Sequence, residues 1–204
     1  MPFIFKRLAL LTSIAMVLAP DKAQTAKKEE PKFTPDAAAS YASHQTSEKV
    51  TIGVRPFFND DDTRPVFGKH NPYNYGVLPV LVVIQNDSPK TIRVQSLQAV
   101  WVGPNRDRVE ATPAKDVRFL IGPKRPNAIP GTPPAVIGHK NPLDTWEIEG
   151  RAFNAQVLPP GQSASGFFYF QTGYQRGASV YLSGLREADS GRELLYFEIP
   201  IVDK

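Results

Sequence analysis

No cysteine occurs in the 204 residues. Its absence excludes disulfides, thiolate metal sites, a cysteine nucleophile and anchorage through a lipid-modified cysteine. Histidine is almost as scarce. His44, His70 and His139 lie at no ligand spacing from one another and read as loop residues, so no metal site is expected. No apolar run reaches the roughly 18–20 residues of a spanning helix. Gly-x-Ser-x-Gly is missing and the glycines are dispersed, which removes both a nucleophile elbow and a phosphate cradle. No repeat of fixed period is found. These absences point to a chain with no catalytic residues and no cofactor.

Proline is plentiful instead, at 20 residues, and must sit at turns, edges or loops. Hydrophobic residues make up 41% and charged residues 22%, enough for a folded core. The net charge is +4, and half of that excess comes from Lys6, Arg7 and Lys22 set against Asp21. The remaining cations are scattered. Arg106 and Arg108 alternate with Asp107 and Glu110, and Lys124-Arg125 stands alone. No dense basic face forms, so nucleic acid is not an expected partner.

Residues 1–26 are expected to be a signal peptide. Lys6-Arg7 supplies a basic start, Leu8 to Ala19 is uncharged and apolar, and Pro20-Asp21 ends the run. Its length suits the roughly 7–15 residues of a signal h-region. The cleavage point is open between Ala19 and Ala26. Pro20 disfavours the first, and Gln24 disfavours the second. The mature form then has no membrane span, and an uncleaved leader would be an N-terminal anchor. The expected location is periplasmic or extracellular. Residues 27–48 read as a flexible tether, with Lys27-Lys28-Glu29-Glu30, Pro31, Pro35 and an Ala/Ser stretch too poor in apolar residues to offset ordering. Thr34-Pro35 offers a start for a short helix through Ala37–Ala42.

Residues 49–204 carry the β signal. Val50, Ile52 and Val54 alternate as in a half-buried strand. Leu78 to Gln85 is apolar on both faces, as in mid-sheet. Ile92 to Val102 changes parity near Gln95-Ser96, which predicts a bulge or a strand that changes sheets. Thr112-Pro113 starts a short helix to about Ile121. Gly122 to Pro142 is a long proline-rich loop. Leu143 to Gly150 fits a helical turn or a strand. Phe153 to Val157, Phe167 to Phe170, Val180 to Leu182 and Leu195 to Ile201 read as strands, with a charged hairpin loop at Arg186 to Glu193. About seven or eight short strands result, the count of a β-sandwich.

Two segments carry a resemblance. One is Leu78-Pro79-Val80-Leu81-Val82-Val83-Ile84-Gln85-Asn86-Asp87-Ser88, a strand ending in Asn-x-Ser. The other is Leu158-Pro159-Pro160-Gly161-Gln162 leading into Phe167-Phe168-Tyr169-Phe170. Together they resemble immunoglobulin-like domains of bacterial exported and envelope proteins. The resemblance implies a mainly β, immunoglobulin-like antiparallel sandwich. Asn86 and Ser88 are expected to bond local backbone at the strand exit.

The connection after Pro56 is the best binding candidate. Asn59-Asp60-Asp61-Asp62 lacks the spacing of a calcium loop and reads as a solvated acidic turn. The stretch that follows presents Phe67, His70, Tyr73 and Tyr75, side chains able to bind a ligand or partner, or to cap one end of the fold. The expected function is a non-enzymatic exported envelope domain that binds or supports an envelope protein. A small-ligand or carbohydrate-binding module using residues 67–76 is the first alternative, and a hydrolase is the second.

Overall fold

The computed structural model describes residues 33–120, 141–194 and 196–203. The expected signal peptide lies outside these residues, as does the proline-rich loop up to residue 140. The eleven strands among the described residues are β1 (Ser43–Ser47), β2 (Val50–Pro56), β3 (Leu78–Asn86), β4 (Ile92–Arg93), β5 (Gln98–Val102), β6 (Arg108–Glu110), β7 (Val157–Leu158), β8 (Ser163–Phe170), β9 (Ser179–Ser183), β10 (Arg186–Glu187) and β11 (Phe197–Pro200). Three short helices accompany them: α1 (Asp60–Phe67), α2 (Ala114–Val117) and α3 (Trp146–Gly150). Single 3₁₀ turns span Ala38–Ser40 and Pro72–Tyr75.

The chain is mainly β, as its alternation predicts. It forms three antiparallel sheets with orders β1-β2-β3-β8, β10-β4-β7 and β11-β9-β5-β6. The expectation of seven or eight strands is corrected to eleven, for identifiable reasons. The parity change near Gln95-Ser96 is a change of sheet. Ile92-Arg93 pairs with β7 and β10, and the chain turns before Gln98–Val102 joins β6 and β9. Two-residue strands such as β10 are too short to show any period. Part of the expected tether is also strand. Ser43–Ser47 pairs with β2 across a tight turn at Glu48-Lys49, both at positive φ (49° and 61°).

Period-two alternation places the core. Val50, Ile52 and Val54 of β2, Leu78, Val80, Val82 and Ile84 of β3, Ala99 and Trp101 of β5, Val180 and Leu182 of β9, and Phe197 and Ile199 of β11 form one buried cluster. The two four-stranded sheets therefore face each other. The opposite face of the first sheet is buried as well. Leu81 and Val83 of β3 and Phe167 and Tyr169 of β8 lie under Val66 and Phe67 of α1, Val117 of α2, and Ile148 of α3. Helices on one side and a sheet on the other explain why β3 is apolar at every position from Leu78 to Ile84.

Candidate functional site

The structure divides the four side chains singled out in the sequence. Phe67 is 2% exposed and ends α1, with its ring edge-on to Phe167 at 5.0 Å. It belongs to the helical layer of the core. Tyr73 is half-buried. Its hydroxyl accepts the Tyr174 N–H at 3.1 Å, and its ring meets Phe58, which stacks on Tyr174 at 4.2 Å. Trp101 approaches the same Tyr174 ring. These rings close the end of the two facing sheets at which β2 finishes and β3 begins. His70 and Tyr75 stay exposed.

The acidic run is the first turn of α1. Asp60, Asp61 and Asp62 sit where the helix N-terminus favours negative charge. The carboxylate of Asp60 accepts Asn71 Nδ2 at 2.8 Å, and Asp62 pairs with Arg55 at 2.6 Å. Among the described residues no group of three His, Asp or Glu side chains could hold a metal ion.

The opposite end of the sheets is polar and fully bonded. Asn86 is 0% exposed. Its amide nitrogen donates to the carbonyls of Lys90 at 2.7 Å and Leu158 at 2.9 Å. Its side-chain oxygen accepts both the N–H and the hydroxyl of Ser88. Gly161 N–H donates to the Asn86 carbonyl at 2.7 Å. Nearby, Glu187 accepts from Arg192, Lys90 and Ser190, and Arg192 also reaches Glu48 at 2.5 Å. The Arg192 guanidinium, with Lys90 and Ser190, holds the Glu187 carboxyl down at about 2. Both oxygens of this carboxylate are engaged: they tie the turn at Lys90 to the turn at residues 187–192, and Arg192 carries the link on to the turn at Glu48.

Sequence reasoning passed over the outer face of the second sheet. Along β9, Val180 and Leu182 point inward, so Tyr181 points outward. The Tyr181 ring stacks on Tyr196 at 5.2 Å and 29°, and the Arg108 guanidinium lies 5.2 Å from the Tyr181 centroid. Register sets Tyr181 between Val100 and Glu198, with Glu110 beyond Val100. Tyr196 is 55% exposed. Among the described residues this face carries no helical layer, unlike that of the first sheet. The available signal was an aromatic residue at an outward parity on a strand whose inward residues are fully apolar.

These surfaces offer apolar contact, cation–π contact and hydrogen bonding. No family model matches the chain, and no curated protein matches it. Among solved structures it is similar to the X-ray structure of Northeast Structural Genomics Consortium target SoR45, with a TM-score of 0.35 and 10% identity, over 75% of this chain and 84% of that chain.

Proposed function

We propose that the two facing sheets form an immunoglobulin-like sandwich, and that the chain is a non-enzymatic, exported envelope domain that binds or supports a protein partner through the outer face of β11-β9-β5-β6. The observation that carries the reading is the Tyr181–Tyr196 stack with Arg108 on a sheet face that carries no helix among the described residues. Tyrosine and arginine are the side chains that dominate binding energy when a partner excludes water from them. Stacking holds the two rings in place, so little rotamer entropy is lost on contact. Glu110 and Glu198 give the patch a charged rim. Export is supported by the basic and apolar pattern of residues 6–19.

The test is crosslinking in the native envelope followed by mass spectrometry, with wild type beside Tyr181→Ala and Tyr196→Ala. The expected result is a specific crosslinked protein, captured roughly tenfold less by either variant, and a mature N-terminus between residues 20 and 27. Equal capture by both variants would remove this face from the proposal. A glycan that binds the purified chain in place of any protein would favour the carbohydrate reading, for which His70 and Tyr75 are the exposed candidates.

A further inference from the structure

Among the described residues, Arg118 and Arg151 are the half-buried lysine or arginine residues. Arg118 is paired with Asp144 and Glu149. Arg151 has no carboxylate partner among the described residues. Its Nε is enclosed and has no hydrogen-bond partner. The guanidinium lies 6.0 Å from the centroid of Phe33, and a ring face is a weak substitute for an anion. Leaving a half-buried guanidinium donor unpaired costs far more than leaving an exposed one.

A cavity of about 170 Å³ opens beside it. Among the described residues Arg151 is the one charged residue on its wall, with Ser165 alongside. Phe33, Pro35, Leu81 and Phe167 supply apolar walls. The backbone is drawn in close here: a Cβ on Gly166 would lie 2.3 Å from Phe153 Cα, so segment 151–153 is pressed onto β8, which fixes the Arg151 backbone at the cavity wall. We infer that this cavity is a binding site for a carboxylate carried on a short apolar body, with Arg151 receiving the carboxylate and the apolar walls receiving the remainder. A guanidinium presents parallel N–H donors that match a carboxylate. The walls favour an apolar attachment over a free, fully hydrated anion.

The test is titration of the full chain with butyrate, acetate and inorganic phosphate, following the arginine Nε–Hε resonances by NMR. Butyrate is expected to shift the Arg151 resonance with millimolar affinity, more tightly than acetate. Arg151→Gln should weaken it about tenfold or more while the rest of the spectrum stays native. Ser165→Asp places a carboxylate at the cavity wall. It should abolish butyrate binding and raise the thermal midpoint by roughly 2–4 °C. An unshifted Arg151 resonance in wild type, undiminished binding in Arg151→Gln, or Ser165→Asp that still binds butyrate would each overturn the site. Phosphate binding without butyrate binding would overturn the ligand class.

Discussion

Asn86 joins two loops that are distant in sequence. Its side chain bonds the Asn-x-Ser exit of β3 to itself and to the carbonyl of Leu158, while its backbone takes the N–H of Gly161. The two segments behind the immunoglobulin-like resemblance are thus one physical unit. Asn86→Leu is expected to lower stability by roughly 2–4 kcal/mol, because the buried Leu158 carbonyl loses its donor and Ser88 loses its acceptor. Ser88→Ala should cost about 1 kcal/mol. Urea unfolding checks both. Glu187 contributes through charge. Its carboxyl is held at about 2, below its ordinary value of 4.5. The protonated form is therefore more disfavoured in the folded chain than in the unfolded one. The resulting stability is present above about pH 4.5 and is lost as pH falls toward 2. Glu187→Gln should flatten the stability profile across that window and leave other pH dependence intact. The local bonds of Asn86 were legible from its spacing to Ser88. Its bond to Leu158 was not, because only folding brings residues 72 positions apart together.

Elements show where local pattern suffices. Alternation was enough for β2, β9 and β11, since each buries one face. Thr112-Pro113 marked the place of a short helix but not its cap or length: the helix is Ala114–Val117 rather than reaching about Ile121, Pro113 takes the N-cap, and Thr112 instead bridges Tyr169 of β8. α1 was hidden. Its run of aspartates has low helix propensity, and Pro65 sits inside the helix. Charge at the N-terminus and burial of Val66 and Phe67 outweigh that propensity. β1 was hidden for a related reason. Ser43–Ser47 is polar, lies at the edge of its sheet, and is held by pairing with β2 and by Ser43 accepting the Val202 N–H. The turn between β9 and β10 makes an element-scale prediction. Gly184 has φ +89°, and a Cβ there would lie 2.2 Å from the Ser96 carbonyl oxygen. Gly184→Ala is expected to cost roughly 2–4 kcal/mol, combining backbone strain and a clash with the crossing between sheets. Thermal unfolding measures it.

At the scale of the molecule, one strand serves two cores. Ile84 faces the second sheet and Leu81 faces the helices, and both are at most 1% exposed. Truncating either to alanine is expected to cost about 2–5 kcal/mol, whereas Val100→Ala, half-buried on the outer face of the second sheet, should cost about 1 kcal/mol or less. Equilibrium denaturation of the three variants separates a doubly covered sheet from one covered on a single face. A small effect of Val100→Ala would fit the proposal that this outer face, which carries no helix among the described residues, is available to a partner.

The order of residues along the chain determined the β class, the doubly buried β3, the break near Gln95-Ser96 and the turn chemistry at Asn86. These depend on period, parity and short-range bonding, which adjacent residues carry. Tertiary structure alone decided that the break is a change of sheet, that Phe67 and Tyr73 turn inward, that Tyr181 meets Tyr196, and that Arg151 lines a cavity with no carboxylate partner among the described residues. Each of these depends on what lies across a sheet or beneath a helix. A side chain's freedom to bind is whatever packing leaves over, and neighbours along the chain do not record it.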